Sequence, residues 1–177
     1  MEKTLQHKSL TLTRFDLRDP REWAVFCRLF TAYLKEVCSA EEYRENLQEL
    51  HDPALSRGLI RQTLQTQDPY FILRIESETS CMGLVSYSYY ETHRTGFLNN
   101  FFVLPAFRGL GIGASAYRMA EHHLQLLGAR RLELIPVEQA RGFYLHLGFT
   151  PSRTSGDGEP IYAQSLTPAE PAGTDRE

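Results

Sequence analysis

The chain has 177 residues, 42% of them hydrophobic and 23% charged, and a formal net charge of −3. At roughly 150 residues per domain this is one domain, and the composition excludes a collagen, a coiled coil and a wholly disordered chain. So small a charge supplies no global attraction to nucleic-acid phosphates or anionic lipid, and neither nucleic acid nor a membrane is an expected partner.

Residues 1–9 form a lead with no apolar run of seven, so no signal peptide is expected. Leu10 to Phe15 alternates and carries threonines, which predicts a short strand. Asp19-Pro20-Arg21-Glu22 then combines an N-cap, a proline at the first helical position and an acidic residue in the first turn. In the helix that follows, Trp23, Phe26, Phe30, Tyr33 and Val37 recur every three or four residues and share one core-facing side. Ser39 to Glu42 is a capping box and Asp52-Pro53 another start signal, predicting two more helical pieces between Glu41 and Gln65 with a break near His51.

After Asp68-Pro69 the period changes to two. Tyr70–Ile75, Met82–Tyr90 and Phe97–Val103 predict three antiparallel strands. Ile112 to Leu127 returns to helical spacing and stops at Gly128, Arg131–Ile135 is a further strand, and Glu138–Leu147 a short helix closed by Gly148. Phe149–Leu166, interrupted by the turn at 155–160, reads as a final hairpin, and 167–177 as a disordered tail rich in Pro, Ala, Glu and Gly. Cys27, Cys38 and Cys81 are an odd set without metal-ligand spacing. They predict reduced thiols in a cytoplasmic protein, with no disulfide and no metal.

The chemically telling stretch is Val103-Leu-Pro-Ala-Phe-Arg108-Gly109-Leu110-Gly111-Ile112-Gly113-Ala114. A strand gives way to a loop with three alternating glycines and then to a helix. Glycine lets the backbone aim its amides at a ligand with no Cβ in the way, and the first N–H groups of a helix are unpaired at its positive end. Such a turn suits a diphosphate, and Arg108 adds further donors. Gly111 to Ala116 also satisfies G-x-G-x-x-A, with Glu133 about 20 residues on, the pattern of a nucleotide-dependent oxidoreductase. Residues 105–108 separate these glycines from their strand, and the preceding strands read as antiparallel, which disfavours that alternative.

V-x-P-x-x-R-G-x-G-I-G over Val103–Gly113 resembles motif A of the GNAT superfamily of acyl-CoA-dependent N-acyltransferases, with Arg108, Gly111 and Gly113 in its R-x-x-G-x-G core. Ala140-Arg-Gly-Phe143-Tyr144-Leu-His146-Leu-Gly148-Phe149 is similar to a second family motif. The resemblance implies one GNAT-fold domain over residues 10–166: an α/β (α+β) architecture whose mixed, mostly antiparallel sheet of about seven strands splays between the fourth and fifth, with helices on both faces. It implies acetyl-CoA as cosubstrate and no metal. Phe102, Val103, Arg108, Gly109, Leu110, Gly111, Ile112, Gly113 and Ala114 would hold acetyl-CoA, its pyrophosphate on the glycine turn and its pantetheine along 101–104.

The implied activity is acetyl transfer to a primary amine of a small molecule or peptide by direct attack, with Tyr144 as general acid to the leaving thiolate. A non-catalytic acyl-CoA-binding regulator of the same fold is the alternative, and a homodimer is left open. Many family members carry a glutamate late in the fourth strand. Here that place holds Asn99-Asn100, which cannot take a proton. Deprotonating an amine of ordinary pKa near 10.4 costs roughly 4–5 kcal/mol at pH 7. Glu91, His93 and His146 are the candidate bases, and desolvation of the ammonium is a route without one. The acidic residues Glu36, Glu41, Glu42, Glu45, Glu49 and Asp52 favour a cationic acceptor, and Tyr87, Tyr89 and Tyr90 are candidates to line its cleft.

Overall fold

Three capped helices follow the first strand because the chain supplies an oxygen at each start. In the computed structural model, which describes residues 10–167, β1 (Thr11–Arg14) leads into α1 (Pro20–Val37), where Asp19 accepts from the Arg21 N–H at 2.8 Å. Helix α2 (Ala40–Leu50) has a reciprocal box: Ser39 Oγ accepts from the Glu42 N–H, and Glu42 accepts from the Ser39 N–H. Helix α3 (Pro53–Thr63) starts on Asp52, which accepts from the Ala54 N–H at 2.8 Å. The break near His51 is where expected. The lead 1–9 and residues 168–177 of the expected tail lie outside the described residues.

Helix α3 contains Gly58, around whose added Cβ nothing lies within 4 Å. Glycine inside a helix costs about 0.5–1 kcal/mol relative to alanine. Gly58→Ala is therefore expected to raise thermal stability by about that amount, read as an upward shift of the melting midpoint in circular dichroism; a lowered midpoint would contradict the open space.

Strands β2 (Tyr70–Ser77), β3 (Ser80–Tyr90) and β4 (Thr95–Val103) form the expected antiparallel meander, β3 beginning two residues early because Ser77 pairs Ser80 across a tight turn. Helix α4 (Ile112–Leu126), β5 (Arg131–Leu134), α5 (Arg141–His146), β6 (Thr150–Thr154) and β7 (Pro160–Ser165) complete the chain. The single helix expected over Glu138–Leu147 is instead a 3-10 turn, Glu138–Ala140, followed by α5, with Gly142 weakening helical continuity there. Gly128 and Gly148, both at φ +98°, close α4 and α5 in the left-handed conformation that glycine adopts without strain.

The seven strands lie in the order β1-β2-β3-β4-β5-β7-β6, and only β4 and β5 run parallel. The α1–α3 face packs Phe26, Leu29 and Leu50 on Ile72, Leu84 and Phe102. The other face packs Ala116, Tyr117, Ala120 and Leu124 of α4 on Ile75, Val85, Tyr87 and Leu98.

Two features open the sheet at its centre. The β3–β4 register shifts after Ser86, which pairs Asn100 while Tyr87 pairs Leu98, so Asn99 is an extra bulged residue and β4 bends there. The β4–β5 ladder runs only from Thr95–Arg131 to Leu98–Leu134, and beyond it stands Pro136, which has no N–H to give. Past this point the two strands part.

Candidate active site

The parted strands enclose a cavity of about 500 Å³ that passes from the glycine turn to α5. Leu98, Phe101 and Val103 of β4, Leu134 at the end of the ladder and Ile135 after it, and Phe143 of α5 make it apolar. Phe101 and Phe143 stack at 5.9 Å, 17° from parallel, as one wall.

At one end is the turn. Gly109 and Gly111 have φ +74° and +77°, a region that side chains with a Cβ enter at a cost of roughly 1–2 kcal/mol. Gly111 is the N-cap of α4, and the first helical bond is the Ser115 N–H to the Gly111 carbonyl at 3.0 Å. The amides of Ile112, Gly113 and Ala114 precede that bond and are left for a ligand. Gly109, Gly111, Gly113 and Ala114 line the cavity, whereas the Leu110 side chain is exposed and Ile112 packs toward the α4 core. Leu110 and Ile112 can therefore take part only through main-chain N–H groups. The opening, the free amides and the apolar channel fit a long ligand that ends in a diphosphate.

Arg108 is engaged elsewhere than expected. Its Nη2 sits 2.8 Å from a Glu36 carboxylate oxygen of α1, its Nε donates to the Val103 carbonyl at 2.8 Å, and its guanidinium lies 5.5 Å from the Phe102 ring centroid. Both Glu36 and Arg108 line the cavity and both are substantially exposed. An exposed pair of this kind contributes little to stability and yields readily to a stronger anion. Nothing in the local sequence signals it, since the partners are 72 residues apart.

At the other end is Tyr144, 7% exposed, with its ring edge-on to Phe143 and Phe149. Burial, and then the neighbouring Tyr33, push its phenol above the ordinary value, so it stays protonated at every working pH. Tyr33 also lines the cavity and lies beside Asn100; burial again pushes its phenol up. The helical stripe identified Tyr33 only as core.

The bulge sends both asparagines toward β3 serines. Ser86 Oγ donates to Asn100 Oδ1 at 2.9 Å, and Asn99 Nδ2 donates to Ser88 Oγ at 3.0 Å. Of the three candidate bases, only His146 borders the cavity, from the exposed end of α5. Glu91 and His93 lie in an exposed 3-10 turn after β3, where the Glu91 N–H is held by Asp68, and neither lines the cavity.

The tyrosines of β3 do not line a cleft. Tyr87 is fully buried, its hydroxyl 2.8 Å from His123 Nδ1, and Tyr89 is buried in the same α4-side core, while Tyr90 is exposed. Alternation along β3 puts Tyr87 and Tyr89 with Val85 on the side covered by α4. Glu133, the residue a nucleotide-binding reading would need, is tied to Arg131 and Arg153 at 2.7 and 2.8 Å. Burial raises its pKa, yet the two arginines outweigh that and hold its carboxyl below the ordinary value.

Among the described residues no three His, Cys, Asp or Glu side chains gather as a metal site, and no helix is long and apolar enough to cross a membrane. The acetyltransferase (GNAT) family model matches residues 23–149. No curated protein matches the sequence. Among solved structures, the PaiA N-acetyltransferase from Thermoplasma acidophilum in complex with coenzyme A is similar at 14% identity, with a TM-score of 0.71 over 89% of this chain and 99% of that one. Tetrahymena GCN5 is similar at 12% identity and TM-score 0.66, over 90% of this chain and 98% of that one. A spermidine N-acetyltransferase SpeG chimera from Vibrio cholerae and hSSAT is similar at 15% identity and TM-score 0.62, over 89% and 94%.

Proposed function

The chain belongs to the acetyltransferase (GNAT) family, and from that premise we propose that it moves an acetyl group from acetyl-CoA to a primary amine by direct attack, with Tyr144 as general acid. The observation that carries this reading is one continuous cavity with unpaired helix amides at one end and Tyr144 at the other. Acetyl-CoA supplies the acyl group and the thiolate leaving group. The amides of Ile112, Gly113 and Ala114 hold its diphosphate, which competes with Glu36 for Arg108. Phe101, Val103 and Phe143 exclude water from the pantetheine, and the parted main chain of β4 orients it. Tyr144 keeps its proton until the C–S bond breaks and gives it to the departing sulfur; burial holds that proton on the phenol until thiolate charge develops beside it.

The free thiols Cys27, Cys38 and Cys81, all pushed up by burial, suit a reducing compartment and support a cytoplasmic location.

No carboxylate stands at the β4 bulge, so the acceptor loses its proton through desolvation and water. The test is the pH dependence of kcat/KM with an acceptor drawn from an amine panel. The rate is expected to climb toward the acceptor's own pKa, with no inflection near pH 6–7. It should not fall on the alkaline side below about pH 10, because a raised phenol pKa keeps Tyr144 protonated there. Glu91→Gln, His93→Ala and His146→Ala should leave the profile unchanged. An inflection that vanishes in one of them would identify a dedicated base and overturn this route.

A further inference from the structure

A second cavity, of about 160 Å³, lies on the α1–α3 face of the sheet. Phe26 and Phe30 of α1, stacked at 5.4 Å, form one wall. Leu55 and Leu59, one turn apart on α3, form the opposite wall, and Tyr70 of β2 closes the side. Polar atoms come from the β3–β4 side, where Ser86, 1% exposed, donates to Asn100, and from Asn46 of α2. Glu49, exposed on α2, carries the only formal charge among the lining residues.

This cavity and the first come within one residue of each other. Asn99 lines the first and Asn100 the second, and Tyr33, which lines the first, lies beside Asn100. A group held against Asn100 is therefore next to the place where β4 and β5 part. We propose that the second cavity is the specificity pocket for the acceptor, selecting a primary amine on one compact aromatic body, an arylalkylamine, with its amine turned toward Asn100. The inference rests on the acetyl-transfer reading above and deepens it.

Three observations fix the class. An apolar cavity of about 150 Å³ takes one benzene ring, and this one is of that size. Phe26, Phe30, Leu55, Leu59 and Tyr70 supply most of its wall and attract an aryl ring, while Asn46, Glu49, Ser86 and Asn100 supply its polar atoms. Its only charge is negative and at an exposed position, which draws a cationic amine inward and disfavours a carboxylate-bearing acceptor.

The test compares kcat/KM for phenethylamine and ethylamine with acetyl-CoA, in wild type and two α3 variants. Wild type is expected to prefer phenethylamine by about 10- to 100-fold, the worth of burying one ring. Leu59→Phe should fill the cavity and bring that ratio down toward one. Leu55→Ala should enlarge it and shift preference toward 2-(naphthyl)ethylamine. Ratios taken within one preparation cancel any unfolded fraction, and the two variants move specificity in opposite directions. Equal rates for the two amines in wild type, or ratios that neither variant moves, overturn the pocket while leaving acetyl transfer standing. So does acetyl-CoA binding with no acetylation of either amine. Absence of acetyl-CoA binding by calorimetry overturns acetyl transfer itself, and the pocket with it.

Discussion

Tyr144→Phe is expected to lower kcat by about 10²–10⁴ while the affinity for acetyl-CoA stays within about twofold. The substitution removes one hydroxyl from a ring that otherwise keeps its place against Phe143 and Phe149, so packing and the cavity wall are preserved. What is lost is the proton delivered to the departing sulfur, and general acid catalysis carries about 3–5 kcal/mol of barrier lowering at such a step. Because the interaction exists only as the C–S bond breaks, kcat and kcat/KM should fall together. Steady-state kinetics beside calorimetric titration of acetyl-CoA separate the two effects. Unchanged turnover would make Tyr144 a packing residue, and a parallel loss of affinity would show that the ring, not the proton, had been disturbed.

Gly111→Val should weaken acetyl-CoA binding by about 100-fold or more. Gly111 sits at φ +77° as the N-cap of α4, and a β-branched residue is strained there even though nothing crowds the added Cβ within 4 Å. Relief of that strain turns the preceding loop and misdirects the amides of Ile112 to Ala114. Hydrogen bonds to a charged group are worth about 1.5–3 kcal/mol each, so losing one or two accounts for the expected change. Gly113→Val is a milder case: its φ is ordinary, and its Cβ would meet Phe143 at 3.6 Å and Phe101 at 3.9 Å, both ordinary contacts. Affinity should fall by about tenfold as the cradle narrows. A melting midpoint for Gly111→Val within a few degrees of wild type, together with lost binding, assigns the effect to the turn; retained binding would move the diphosphate elsewhere.

Much of the architecture was legible because it is written in local physics. Asp19, Ser39 and Asp52 each supply an oxygen to unpaired helix amides, and the change from a period near 3.6 to a period of two after Asp68-Pro69 marks the meander. The alternating glycines followed by a helix start predict a turn with left-handed backbone and free N–H groups, since these are properties of a few consecutive residues.

The less legible features depend on where distant residues meet. A bulge arises from the mismatch of two strands, so the pairing of Ser86 with Asn100 and Tyr87 with Leu98 is invisible in either strand alone. That single extra residue on β4 sent both asparagines toward β3 serines. The Glu36–Arg108 pair joins residues 72 positions apart in the chain.

By itself the sequence determined the order of elements, the glycine turn and the position of Tyr144 on a short helix closed by Gly148. Only the tertiary structure decided that Glu91 and His93 stand away from the cavity while His146 borders it, that Tyr33 lies next to Asn100, and that Leu55 and Leu59 face Phe26 and Phe30 across a ring-sized space. The physical reason is range. Caps, turns and periodicity are set within a few residues of chain, whereas a cavity is the volume left between elements whose packing is settled by all of them together.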